Sequence, residues 1–289
     1  MSQAQQSNHI GFEFITSLSE DLANGLVVLP AFPEVALRIK DALKDPDVSA
    51  KNIAAIAASD PVLSARFLQV ANSVMVNACG TEIRDLNMAI ARMGLKMAQS
   101  TATSFAIENS VKSGASATTR TQLEHLWRHS IVVAAYSYVI AEKRAERINP
   151  DEALLAGLLH DIGKFYILAK MEKYPEILES PELLDNIMQD WHTGVGRSIV
   201  EAWKFTDDFA TVTDEHDSLE RSHPGSPDLT DVVLVANLFA HFNIKEKPAE
   251  YDWNNIPAAR KLGINEESTS VIVRESADEI ASIVSALGI

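Results

Sequence analysis

Apolar residues in this chain recur three and four positions apart over most of its length, the spacing of buried faces on α-helices. Phe12, Ile15, Leu18 and Leu22 predict a first amphipathic helix, which Asn24-Gly25 ends in the manner of a C-cap. Pro30 and Pro33 interrupt the pattern, and a second helix is predicted from about Glu34 to Lys44, ahead of the turn residues Asp45-Pro46-Asp47. Ser49 is placed to cap a helix over Ala50–Ser59. Asp60-Pro61 supplies an N-cap and an N1 proline for another, in which Leu63, Phe67, Leu68 and Ala71 face inward and which Asn72-Ser73 closes. Asp85–Met93 and Leu95–Ile107 follow as two helices separated by Gly94.

Ser110–Thr119, reading SVKSGASATT, is small, polar and aperiodic, and is the best linker candidate in the chain. It divides the chain into an N-terminal helical lobe, 1–115, and a second helical lobe, 116–289. Beyond it, helices are predicted over Gln122–Glu146, Asp151–Lys170, Pro181–Met188, Thr193–Trp203, Asp207–Glu215, Leu229–Phe242 and Thr269–Leu287. Neither alternating strands nor Asn-Gly hairpins occur, so the predicted fold class is all-α. No internal repeat is visible.

The stretch Leu154–Ile167, LLAGLLHDIGKFYI, departs from simple packing logic. Gly157 and Gly163 sit three residues on either side of His160. Each costs about 1 kcal/mol against alanine in a helix interior. Their presence implies a close approach, by a metal ion or by a packed neighbouring helix. On one continuous helix His160 and Asp161 would diverge by about 100°, so a shared site needs ligands from other helices. The candidates are His129, His192 with Gly196 one turn later, His216 on the stripe of Phe209, Val212 and Thr213, and Asn237 in the otherwise apolar VVLVANLFA.

A single histidine on an apolar helix is more often a satisfied core residue than a ligand. Four of them on four buried stripes are hard to hide without a common polar partner. Imidazole and carboxylate together suit Fe, Mn, Zn, Ni or Co, a choice that ligand type does not settle. His9, His223 and His241 read as surface residues, and His125, one turn before His129, as a packing or supporting group.

Composition removes several alternatives. With 25 Lys and Arg against 40 Asp and Glu, the formal net charge of −15 argues against nucleic acid and anionic lipid, because phosphate backbones are bound through clustered basic side chains. The longest apolar run, Ile131–Ala141, falls short of the ~20 residues that cross a bilayer. MSQAQQSNHI lacks the basic and apolar regions of a secretory signal, and only Met1–Asn8 reads as disordered. The lone cysteine, Cys79, fits a reducing compartment. A cytoplasmic protein without membrane contact is expected.

The series His129, His160-Asp161 with Gly163-Lys164, His192 with Gly196, and His216 resembles the HD superfamily of metal-dependent phosphohydrolases. LPAFP at Leu29–Pro33, SDPVLSARFLQVANS at Ser59–Ser73 and AIARMG at Ala89–Gly94 are similar to the HDOD domain, the HD-related output domain. The resemblance implies an all-helical N-terminal bundle packed on an HD-like helical domain. It implies metal-ligand roles for His129, His160, Asp161, His192 and His216, with Lys164 at the position of a lysine that contacts substrate phosphate. It also implies signalling output through a signalling protein partner or a small phosphorylated ligand, and makes metal-dependent phosphohydrolysis by Asp161 and Lys164 the alternative.

Two departures favour the regulatory reading. Ala236-Asn237 stands where active HD enzymes carry Ala-Asp, and the GYP segment of cyclic-dinucleotide hydrolases is absent, with Lys173-Tyr174-Pro175 only a superficial echo.

Overall fold

The structure is a computed structural model that describes residues 3–25, 34–78, 80–112, 116–241 and 251–287. Among the described residues it is all-helical, without a strand. The LPAFP segment Leu29–Pro33 and Cys79 lie outside the described residues.

The first half of the chain comprises α1 (Gln3–Ala23), α2 (Glu34–Ala42), α3 (Ala50–Ala57), α4 (Pro61–Ala71) and α5 (Leu86–Lys112). Local chemistry sets several of these boundaries. Ser49 and Asn52 exchange side-chain and backbone bonds as a capping box ahead of α3. Asp60 accepts from the Val62 and Leu63 amides at 2.9 and 3.1 Å, ahead of the N1 proline of α4. Within α5, Gly94 adopts φ 80° and ψ 165°, a left-handed region that glycine enters without steric cost, and the axis breaks there. Helix α1 starts at Gln3, inside the stretch expected to be disordered.

The second half comprises α6 (Ala117–Arg144), α7 (Pro150–Leu159), α8 (Ile162–Met171), α9 (Pro175–Leu178), α10 (Pro181–Ala202), α11 (Asp207–Glu215) and α12 (Leu229–Ala240). A 3-10 turn at Trp253–Asn255 then leads to α13 (Pro257–Lys261), α14 (Glu266–Glu275) and α15 (Ala277–Leu287).

Four expectations are corrected. The single helix over Asp151–Lys170 is two, α7 and α8, because Asp161 takes φ −102° and ψ 16° at the corner; no proline marks that break. The two helices over Pro181–Met188 and Thr193–Trp203 are one continuous α10, since the four residues between them, Gln189 to His192, include neither proline nor glycine and are carried along by packing on either side. Thr269–Leu287 breaks at Ser276, buried at 0% and accepting from Lys143 Nζ at 2.9 Å. Helix α5 extends to Lys112 and α6 begins at Ala117, capped by the Ser116 hydroxyl, so most of the polar stretch 110–119 is helix end rather than linker.

Helix α5 packs on α2, α3 and α4, and α6 packs on α7, α12 and α15. Helix α10 lies against α8 and α11, and α1 runs back onto α9 and α10. The C-terminal α15 also touches α4 and α5, where Ser282 Oγ accepts from the Met75 amide at 3.1 Å. No helix among the described residues is long and apolar enough to cross a membrane.

Close helix contacts account for both glycines of the LLAGLLHDIGKFYI stretch. A Cβ on Gly157 would lie 2.7 Å from the Ala134 Cα on α6, and one on Gly163 would lie 1.9 Å from the His192 carbonyl oxygen on α10. The close approach is therefore of helices, and it pins the two ends of the α7–α8 corner against different neighbours.

A candidate metal centre

Because α7 stops at Leu159, His160 and Asp161 form a corner instead of diverging on one helical surface. Their side chains enter the same space, 0% and 1% exposed, with His160 Nε2 3.4 Å from Asp161 Oδ2. Three other elements aim imidazoles there. His129 on α6 brings Nε2 to 3.9 Å from Asp161 Oδ2, and its ring centroid lies 5.3 Å from that of His160. His192 on α10 and His216 at the end of α11 bring their Nε2 atoms to 3.8 and 3.2 Å from Asp161 Oδ1. Two groups result, His129–His160–Asp161 and Asp161–His192–His216, the ligand atoms of each lying within 4.8 Å of one another. Asp161 belongs to both, one oxygen facing each group.

Three of the rings are oriented from behind by their own helices. Nδ1 of His160 lies 2.7 Å from the Gly157 carbonyl, Nδ1 of His192 lies 2.7 Å from that of Met188, and Nδ1 of His216 lies 3.2 Å from those of Val212 and Thr213. A carbonyl oxygen only accepts, so each Nδ1 carries a hydrogen, and the tautomer this selects is the one whose Nε2 lone pair points to the shared space.

Those lone pairs lack donors. His160 Nε2, His216 Nε2, Asp161 Oδ1 and Asn237 Oδ1 are buried without a hydrogen-bond partner. Each unsatisfied buried acceptor costs about 1–3 kcal/mol, and a cation among them relieves several at once. A nitrogen-rich set with carboxylate is what first-row divalent metals take, so the residues present fit such an ion.

The electrostatics favour ligation at neutral pH. Burial pushes His129 down to about 3, with His160 adding to the effect, and burial also lowers His160, so both rings are neutral. Burial opposes ionisation of Asp161, but His160, His216 and Lys164 outweigh it and hold the carboxyl well below the usual range. Burial lowers His216 as well, yet Asp161 and Asp217 prevail and raise it, so a proton competes for that nitrogen. Lys164 donates to Asp161 Oδ2 at 2.8 Å, as the i,i+3 spacing allows.

Asn237, on α12 and 6% exposed, does not aim its amide nitrogen at the rings; Nδ2 donates to Asp217 Oδ1 at 2.9 Å. Asp217 is the residue that sequence reading missed. Its Oδ2 is 3.2 Å from His192 Nε2 and 3.6 Å from His216 Nε2. The available signal was adjacency, since it directly follows His216, but it lies past the helical periodicity in a polar loop.

Among the remaining histidines, His9 and His125 are exposed. His241 is exposed too, although its ring lies 5.1 Å from that of His129. His223, expected at the surface, is instead only 24% exposed and 2.8 Å from Asp231 Oδ2. With Asp228 it forms a third group of ligand-type atoms. There Arg221 already bonds both carboxylates, at 2.6 and 2.9 Å, and Lys261 approaches His223 Nε2 at 2.7 Å, so the negative charge is met by side-chain cations.

The family model of the HDOD domain matches residues 29–219, and the chain belongs to that family. A structure of a candidate metal-dependent phosphohydrolase from Shewanella amazonensis SB2B is similar with a TM-score of 0.78 and 25% identity, over 96% of this chain and 99% of that one. An HDOD domain protein of unknown function from Geobacter sulfurreducens gives a TM-score of 0.66 at 23% identity, over 99% and 98% of the two chains. A candidate signal-transduction protein from Marinobacter aquaeolei VT8 gives 0.62 at 19% identity, over 94% of this chain and 61% of that one. An uncharacterised protein of Treponema pallidum is 24% identical over 247 residues; the chain covers 46% of its length.

Proposed function

We propose that this chain is a regulatory signalling output module whose histidine–aspartate centre holds a divalent metal ion, and that it acts through a signalling protein partner or a small phosphorylated ligand. The observation that carries the metal reading is the convergence of donor-less buried acceptors, His160 Nε2, His216 Nε2 and Asp161 Oδ1, on one space. His129, His160, Asp161, His192 and His216 would hold the ion, drawn from Fe, Mn, Zn, Ni or Co. Their elements are α6, the α7–α8 corner, α10 and the end of α11, so occupancy would add one shared point of attachment to four elements that already pack on one another. The Nδ1 bonds to helix carbonyls keep His160, His192 and His216 in their ligating tautomer, which preorganises that part of the site.

The regulatory role is favoured because the cation available for substrate phosphate is already engaged. Lys164 is held on Asp161, and α12 contributes the neutral Asn237, bonded to Asp217, in place of a carboxylate.

Phosphohydrolysis is the second reading, favoured by the likeness to the Shewanella structure across nearly the whole chain. A bound divalent ion would polarise a phosphoryl oxygen and acidify a coordinated water. In that reading Asp161 would offer one oxygen to each of the two ligand groups, and Lys164 would turn from Asp161 to neutralise phosphate charge.

The test is an assay of metal-loaded protein against phosphomonoesters and cyclic dinucleotides. Little or no turnover is expected. Robust turnover that disappears in Asp161→Ala would overturn the regulatory reading.

A further inference from the structure

Two carboxylates, not one, bracket the nitrogen pair of His192 and His216. Asp161 Oδ1 approaches the two Nε2 atoms at 3.8 and 3.2 Å from the buried side, and Asp217 Oδ2 approaches them at 3.2 and 3.6 Å from a position that is 47% exposed. His192 uses Nδ1 to donate to the Met188 carbonyl, so in the neutral ring its Nε2 lone pair confronts the Asp217 oxygen directly. Acceptor against acceptor at 3.2 Å is repulsive unless a positive species lies between or beside them.

The other oxygen of Asp217 is fixed by Asn237 Nδ2 at 2.9 Å. Asn237 sits on a helix buried from Thr230 to Phe239 and is itself 6% exposed, so its amide is a rigid donor. An aspartate at 237 could not perform this role, because it has no hydrogen to donate when ionised and would set two negative charges side by side.

We infer that Asp217 is a second carboxylate ligand of the metal centre and that Asn237 is the residue that positions it. The second negative charge of the site then comes from the residue after His216, while α12 contributes a hydrogen bond. This inference rests on the metal reading proposed above.

The experiment is titration of the metal-stripped full chain with Mn(II), following free Mn(II) by electron paramagnetic resonance and heat by calorimetry. The proteins are wild type, His160→Ala, Asp217→Asn, Asn237→Ala and the Asp217→Asn/Asn237→Ala double variant. Removing a supporting partner of a metal ligand typically costs about 10–100-fold in affinity. Asp217→Asn is expected to weaken Mn(II) binding at least tenfold and to alter the bound-ion spectrum. Asn237→Ala is expected to weaken it less, and the double variant no more than Asp217→Asn alone, since positioning acts through the carboxylate.

Melting of the metal-free proteins checks that each variant folds, and Asp217 is exposed enough for its substitution to be tolerated. If wild type takes up no Mn(II), the metal reading itself fails. If wild type binds in a His160-dependent manner and Asp217→Asn binds equally well, this inference fails and the metal reading stands. Additive losses in the double variant would remove the positioning role of Asn237.

Discussion

Gly163 and His192 meet backbone to backbone: a Cβ at 163 would lie 1.9 Å from the His192 carbonyl oxygen and 2.7 Å from the Gly196 nitrogen. This crossing of α8 on α10 sets how closely His192 can approach Asp161. Gly163→Ala must therefore separate two backbones, at the upper end of the about 1–3 kcal/mol that overpacking costs. Its melting temperature is expected to fall by several degrees, with loss of metal uptake. Gly194→Ala, where an added Cβ meets nothing within 4 Å, is the control; removing a helix-interior glycine should stabilise by about 0.5–1 kcal/mol. Differential scanning calorimetry of the two variants decides between them.

The Lys164 ammonium occupies the Asp161 oxygen that faces His129 and His160. Lys164→Ala should destabilise the metal-free protein, since Asp161 is 1% exposed and loses a charged partner, at about 1–3 kcal/mol. The same change should tighten divalent metal binding, because a competing positive charge leaves the first group of ligands. Melting with and without Mn(II) reads both effects, and a larger metal-induced gain than wild type is the expected result.

How much of this was legible beforehand depended on whether the cause was local. The capping at Ser49 and Asp60-Pro61 and the break at Gly94 are written in adjacent residues, and the helical periodicity in apolar positions. The corner at His160-Asp161 was not legible, because both residues are tolerated in helices and the break is set by α7 packing on α6 while α8 packs on α10. Gly157 and Gly163 announced a close approach without naming the partner, which only tertiary structure supplies. Asp217 was hidden for a related reason. A carboxylate in a polar loop carries no periodic signal, and its role depends on Asn237 being 2.9 Å away although 20 residues distant.

The Arg221 network should make stability depend on acid. Burial raises Asp228, but Arg221 outweighs it and holds the carboxyl below its ordinary value of 3.8. A folded value lower than the unfolded one means that the contribution is fully present above about 4 and is lost as pH falls through the depressed folded value. Arg221→Gln should therefore melt below wild type at pH 7, and the gap should close as pH drops below about 4. A gap that stays constant from pH 7 to pH 3 would show that the arginine stabilises by packing alone.

The most direct measurement is the metal content of the protein. Equilibrium dialysis of the metal-stripped chain against Mn(II), with elemental analysis of the retained ion, should be run on wild type, His160→Ala, Asp161→Ala and His223→Ala. Retention of at least one ion per chain by wild type and by His223→Ala, with loss in His160→Ala and Asp161→Ala, is the predicted result. No retention by wild type, or retention unchanged in His160→Ala and Asp161→Ala, would contradict it.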